Sequence, residues 1–130
     1  MHLQLLALLT IFIGSSGASI SSKEAMKIAE KFQEGLDKAI HEHTSHKLPI
    51  ITDDFVYEDC VKYGSPKYEQ ARFLWIFYKF APARGVLEAR VDKDHLIYKV
   101  SYGGDGNVEM TLIAQEDGSW KLEKAFMYEC

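Results

Sequence analysis

Several groups of side chains in this sequence have types and spacings that could do chemistry. Asp53-Asp54 and Glu58-Asp59 are paired acids flanking a short β-prone run from Phe55 to Cys60. A carboxylate works as a general base when partial desolvation raises its pKa and a hydroxyl donor faces it. Tyr57, Tyr98, Tyr102 and Tyr128 are candidate donors. Asp53 and Asp54 also stand where a helix-to-strand turn would leave them solvated, and alternation does not say which parity of 55–60 faces inward, so a structural reading of these acids is preferred. The cluster HEHTSH supplies His41, His43 and His46. On a helix, positions 41 and 43 point about 200° apart, so only an irregular segment could bring all three to one ion. A solvated helix end, where histidine is favourable beside the negative end of the dipole, accounts for them, and no metal is expected. Lys124 would turn inward under strict alternation from Leu122 to Phe126, where burial could make it a base or nucleophile. Ala125 and Met127 on the other parity point instead to a bulge that returns the amine to water.

The compartment bears on the two cysteines. The first segment, MHLQLLALLTIFIGSSGAS, has an apolar run from Leu3 to Ile13 followed by small residues ending Ser16-Gly17-Ala18. This is the layout of a secretory signal peptide, with cleavage expected after Ala18, and the run is roughly half of what a spanning helix requires. The expected organisation is a signal peptide over 1–18 and one soluble domain over 19–130, large enough to bury its own core. In an exported chain Cys60 and Cys130 are expected to form a disulfide, because neither Cys-x-x-Cys spacing nor a neighbouring histidine marks a redox or metal role.

The formal charge of −4 argues against nucleic acid or an anionic membrane as partner after cleavage, since both call for clustered positive charge. Asn107, the only asparagine, stands in NVE, so no glycosylation sequon exists. No cofactor-binding pattern is present.

The elements that must position these side chains follow from periodicity. Ser21 and Glu24 form a capping-box signature, after which Ala25, Ile28, Ala29, Phe32, Leu36, Ala39 and Ile40 recur at helical spacing. A helical turn is expected near Leu48 to Thr52, then a strand. SPKYEQARFLWIFYKFAPARG reads as a helix with Ser65 as N-cap, Pro66 in the first position and Pro82 beyond its end. Its apolar circumference predicts cover on more than one side. Four alternating runs follow: Leu87 to Val91, Leu96 to Tyr102, Val108 to Ala114, and Trp120, Leu122, Phe126 and Tyr128. Their turns, DKD, GGDGN and Asp117-Gly118, predict an antiparallel meander with one buried face.

This order of elements, closing on DGSWKLEKAFMYEC, resembles the NTF2-like family of the cystatin-like superfamily, which includes ketosteroid-isomerase-like members. True cystatins share the helix-on-sheet outline, but their Gln-x-Val-x-Gly motif is replaced here by SYGGDGN. The resemblance implies an α+β fold in which helices pack in the concave face of a strongly curved, mostly antiparallel sheet. It further implies that the last strand runs through the middle of the sheet near the strand of residues 55–60, so that Cys130 meets Cys60. The family's isomerases and cyclases use pocket carboxylates as general bases, which would cast Asp53, Asp54 or Asp59 in that role. The preferred reading is noncatalytic: a secreted domain binding a small apolar ligand or a protein. Trp75, Phe77, Tyr98, Met110 and Tyr128 are the candidate pocket lining, and a homodimer through the sheet face is the expected assembly if one forms.

Overall fold

A computed structural model describes residues 20–42 and 47–130. The expected signal segment, together with His43 and His46, lies outside the described residues. Helix α1 spans Ser22–Glu42 and begins as its capping box requires: the Glu24 amide donates to Ser21 Oγ at 3.1 Å and the Ser21 amide to Glu24 Oε1 at 3.4 Å. Ala25, Ala29, Gln33, Leu36 and Ile40 form its buried stripe. A polar residue thus occupies the third position of an otherwise apolar face.

After a turn at Pro49-Ile50, closed by Ile51 N–H donating to the Leu48 carbonyl at 3.1 Å, the chain enters strand β1, Ile51–Glu58. The helical turn expected over Leu48 to Thr52 is therefore shorter, and the strand starts four residues before Phe55. Ser65 and Pro66 do not start a helix. Gly64 and Ser65 adopt positive φ, 87° and 54°, and turn the chain so that the short strand β2, Lys67–Tyr68, pairs back on β1 with Tyr57 opposite Tyr68. Strand pairing wins over the local capping signal here, and helix α2 begins later, at Gln70–Tyr78. α2 buries Phe73, Leu74 and Phe77, while Trp75 and Tyr78 remain 52% and 57% exposed. The expectation that this helix is covered on several sides is corrected: one face against β1 suffices to bury three large side chains.

Strands β3, Gly85–Asp92, β4, His95–Ser101, β5, Asn107–Ala114, and β6, Trp120–Glu129, form the antiparallel meander. The sheet order is β2-β1-β6-β5-β4-β3. β6 lies between β5 and β1, and runs parallel to β1. Three register shifts interrupt the meander, one of them at the end of β6, where Asn107 pairs with Glu129 and Val108 with Met127. In β3, Val86 pairs with Val100 and Glu88 with Lys99, so Leu87 is the extra residue and is turned out to solvent. In β6, Leu122 pairs with Leu112 and Lys124 with Thr111, which leaves Glu123 as the extra residue. Beyond it Ala125 and Met127 face the core, Phe126 and Tyr128 face outward, and Lys124 is exposed. The bulge expected at Lys124 is present, and it reverses the parity assigned to Phe126 and Tyr128. Such bulges bend and twist strands, and the sheet curves around the two helices.

The core joins α1, α2 and the concave face through Phe55, Tyr57, Phe73, Phe77 and Tyr102, whose rings meet at centroid distances of 4.4 to 5.5 Å. At the far end of the parallel pair, Cys60 and Cys130 are joined as a disulfide, their Cα atoms 6.4 Å apart. The link sits just beyond the ends of β1 and β6 and ties the two strands together.

Candidate functional site

The apolar stripe of α1 is wider than the sheet can cover. Ile28, Phe32, Gly35 and Ala39 each precede a buried position by one, and so form a second stripe rotated by about 100° from the first. This second stripe is one wall of an open groove of about 690 Å³. Leu48, Pro49 and Ile50 form the opposite wall, and Gly118, Ser119 and Trp120 close one side. The two far segments are tied together by the Leu122 amide, which donates to the Ile50 carbonyl at 2.7 Å. The β5–β6 turn is braced by Asp117, whose carboxylate accepts from the Ser119 amide at 2.9 Å and from its hydroxyl at 2.6 Å. These two bonds hold the Asp117 carboxyl below its ordinary range.

Among the described residues Lys31 is the single titratable one in the groove's lining, and the Ser119 hydroxyl is already committed to Asp117. The groove can therefore enclose an apolar body with a cation at its rim. Among the described residues its lining holds no carboxylate or imidazole for proton transfer.

The centre of the packing between the helices and the sheet is polar. Gln33 accepts the Tyr98 hydroxyl at Oε1, 2.7 Å, and its Nε2 donates to the Tyr102 oxygen at 2.8 Å and to Asp37 Oδ1 at 3.1 Å. Asp37 Oδ2 accepts the Ala83 amide at 3.2 Å, linking α1 to the segment before β3. Burial pushes the Tyr98 and Tyr102 phenols well above their usual range, so both stay neutral donors and acceptors. Burial also raises the Asp37 carboxyl, against the lowering pull of its Ala83 and Gln33 bonds and of His41. Asp37 opens onto a polar cleft of about 550 Å³ between α1 and β3.

The residues singled out in the sequence lie elsewhere. Phe77, Tyr98 and Met110 are fully buried in the core, Trp75 is on the solvent side of α2, and Tyr128 is on the outer face of β6 with Lys99 Nζ 5.3 Å from its ring. None of the five lines the groove. Asp53 and Asp54 are exposed, and Asp53 pairs with Lys47 at 3.1 Å in open solvent. Asp59 accepts the Tyr57 hydroxyl at 2.9 Å and the Cys60 amide at 2.7 Å, holding the start of the β1–β2 turn. None of these three acids lines the groove either. His41 caps no metal site: its Nδ1 and Nε2 lie 2.8 and 3.1 Å from the carbonyls of Asp37 and Phe80. Among the described residues no group of acids, histidines or cysteines is arranged to hold a metal.

Two signals pointed toward what the sequence reading missed. Gln33 interrupts the Ala25-Ala29-Leu36-Ile40 stripe, which marks a buried polar contact. Ile28, Phe32 and Ala39 widen that stripe beyond one sheet contact, and Gly35 leaves a notch in it.

No protein-family model matches the chain, and no curated protein matches it. Solved structures do resemble it. A provisionally assigned ketosteroid isomerase from Parabacteroides distasonis is 18% identical with a TM-score of 0.47, covering 78% of this chain and 87% of its own. A de novo designed NTF2-fold protein is 13% identical with a TM-score of 0.47, over 84% and 86%. An NTF2-like protein of unknown function from Burkholderia xenovorans is 15% identical with a TM-score of 0.45, over 82% and 80%. At such distances these likenesses carry no reading of activity. Among the described residues two helices lie on a curved, six-stranded, mostly antiparallel sheet with β6 inside it, the α+β arrangement of the NTF2-like fold.

Proposed function

We propose that the chain is a secreted, noncatalytic NTF2-like domain that binds a small apolar molecule in the groove beside α1. The observation that carries this reading is the groove itself: about 690 Å³, within the roughly 300–1,000 Å³ range of small-ligand sites, and lined mainly by apolar side chains. The apolar side chains that make up most of the described lining favour binding over turnover. Secretion is supported by the N-terminal pattern and by the Cys60–Cys130 pair. Among the described residues no helix is long and apolar enough to cross a membrane.

Trp120 lines the groove and makes the test direct. An apolar fluorescent probe should bind saturably and take energy from Trp120. Gly35→Phe should abolish this, because a ring at that position projects into the groove. Saturable binding that survives Gly35→Phe would place the site elsewhere, and no binding at all would remove the reading. Secretion is checked separately by the amino terminus of exported protein, expected near Ser19.

A second reading has one observation in its favour. Asp37 is a carboxylate raised by burial and open to a polar cleft, the environment a general base uses. Turnover of a keto–enol isomerisation substrate, lost in Asp37→Asn, would establish that reading over the first.

A further inference from the structure

Four of the six large apolar side chains left exposed among the described residues fall within residues 61–79: Val61, Tyr63, Trp75 and Tyr78, at 63%, 67%, 52% and 57% exposure. The same segment carries Lys62, Lys67, Arg72 and Lys79 against the single acid Glu69, although the whole chain has 15 Lys and Arg to 19 Asp and Glu. Positive charge and exposed aromatic side chains are thus concentrated in this stretch of the chain.

On α2, Arg72, Trp75 and Lys79 follow one another at three- and four-residue intervals and share a stripe. Lys79 Nζ lies 3.5 Å from the centre of the Trp75 ring, and Arg72 Cζ lies 4.8 Å from it and 5.4 Å from the Tyr68 ring. At the hairpin tip Lys62 Nζ stands 5.6 Å from the Tyr63 ring. None of the segment's four cations has an ion pair among the described residues. Ring faces attract cations without neutralising them. Two like charges are therefore gathered on one indole with no anion to balance them.

We propose that this face docks onto an anionic lipid surface. Tyr and Trp settle at the headgroup level, where ring and polar edge are both satisfied. Each Lys or Arg near an anionic leaflet strengthens partition by about fivefold. Charge screening over about 8 Å lets the local face, and not the chain's net charge, decide the interaction. The exclusion of membranes drawn from the overall −4 thus does not extend to this face.

The test uses the chain from Ser19, which contains every described core residue, in a Trp120→Phe background that leaves Trp75 the only indole. Vesicles of phosphatidylcholine with about one-third phosphatidylserine should sediment the protein and shift Trp75 emission to the blue, and phosphatidylcholine alone should do neither. Arg72→Gln with Lys79→Gln should weaken binding on the order of 20-fold. Lys121→Gln with Lys124→Gln, the same charge change on the outer face of β6, should leave it within about twofold. Absence of phosphatidylserine-dependent binding overturns the proposal, as does an equal loss from the β6 pair. Binding to soluble polyglutamate without binding to vesicles also overturns it, and would assign the face to an acidic protein.

Discussion

The Tyr98 hydroxyl on β4 donates to Gln33 Oε1 on α1 across 2.7 Å, joining two buried residues 65 positions apart. With Tyr102 and Asp37 on the Gln33 amide nitrogen, it fixes the helix on the sheet through polar bonds at the centre of the fold. Tyr98→Phe leaves the Gln33 acceptor unpaired in an apolar setting and should cost about 1–3 kcal/mol in denaturant unfolding. Gln33→Leu alone should cost more, because Tyr102 and Asp37 also lose its Nε2 donor, and Tyr98→Phe added to it should cost less than Tyr98→Phe alone. A double-mutant cycle with zero coupling would contradict the bond.

Asp37 sets a pH dependence whose sign follows from burial. Its carboxyl is raised from the ordinary 3.8, so the native state holds the proton more readily than the unfolded chain. This contribution to stability is fully present below the unfolded value and is lost as pH rises through the folded one. Relative to Asp37→Asn, the unchanged protein should therefore lose stability as pH rises from below the ordinary carboxylate value of 3.8 through the raised folded one. Thermal unfolding of both across that range checks it, and an unchanged protein that gains stability over Asp37→Asn as pH rises would reverse the assignment.

Cys130→Ser should lower stability by about 4 kcal/mol, since the bridge closes a long loop in the unfolded chain, the two cysteines being 70 residues apart. Nonreducing peptide mapping should recover one linked fragment from the unchanged protein. Two alkylatable thiols in the native protein would exclude the pair.

Gly35 is a helix-interior glycine, and a Cβ added there meets no atom within 4 Å. Gly35→Ala should raise stability by about 1 kcal/mol through helix propensity while leaving the groove largely open. Unfolding midpoints and probe titration together would show whether the glycine is kept for space.

Thr52 Oγ1 is buried and has no hydrogen-bond partner among the described residues. Thr52→Val keeps the strand-favouring shape, removes the unsatisfied hydroxyl, and should stabilise by about 1 kcal/mol. A destabilised variant in the same unfolding assay would mean the hydroxyl is satisfied in solution.

Much of this architecture is determined locally and can be read from the chain alone. The Ser21–Glu24 box, the period of α1, the alternation of Leu96 to Tyr102 and Val108 to Leu112, and the clash of parities around Lys124 each involve residues a few positions apart. Capping and side-chain direction act over that range. What remained for the tertiary structure depends on distant pairing. Pairing of Tyr57 with Tyr68 made Ser65-Pro66 a hairpin turn. The step from Leu112–Leu122 to Thr111–Lys124 sent Phe126 and Tyr128 outward and brought Ala125 and Met127 in. The groove exists because Ile28, Phe32, Gly35 and Ala39 face segments 48–50 and 118–120. No local pattern encodes that meeting, since a helix stripe shows that it is apolar but not whether another element covers it.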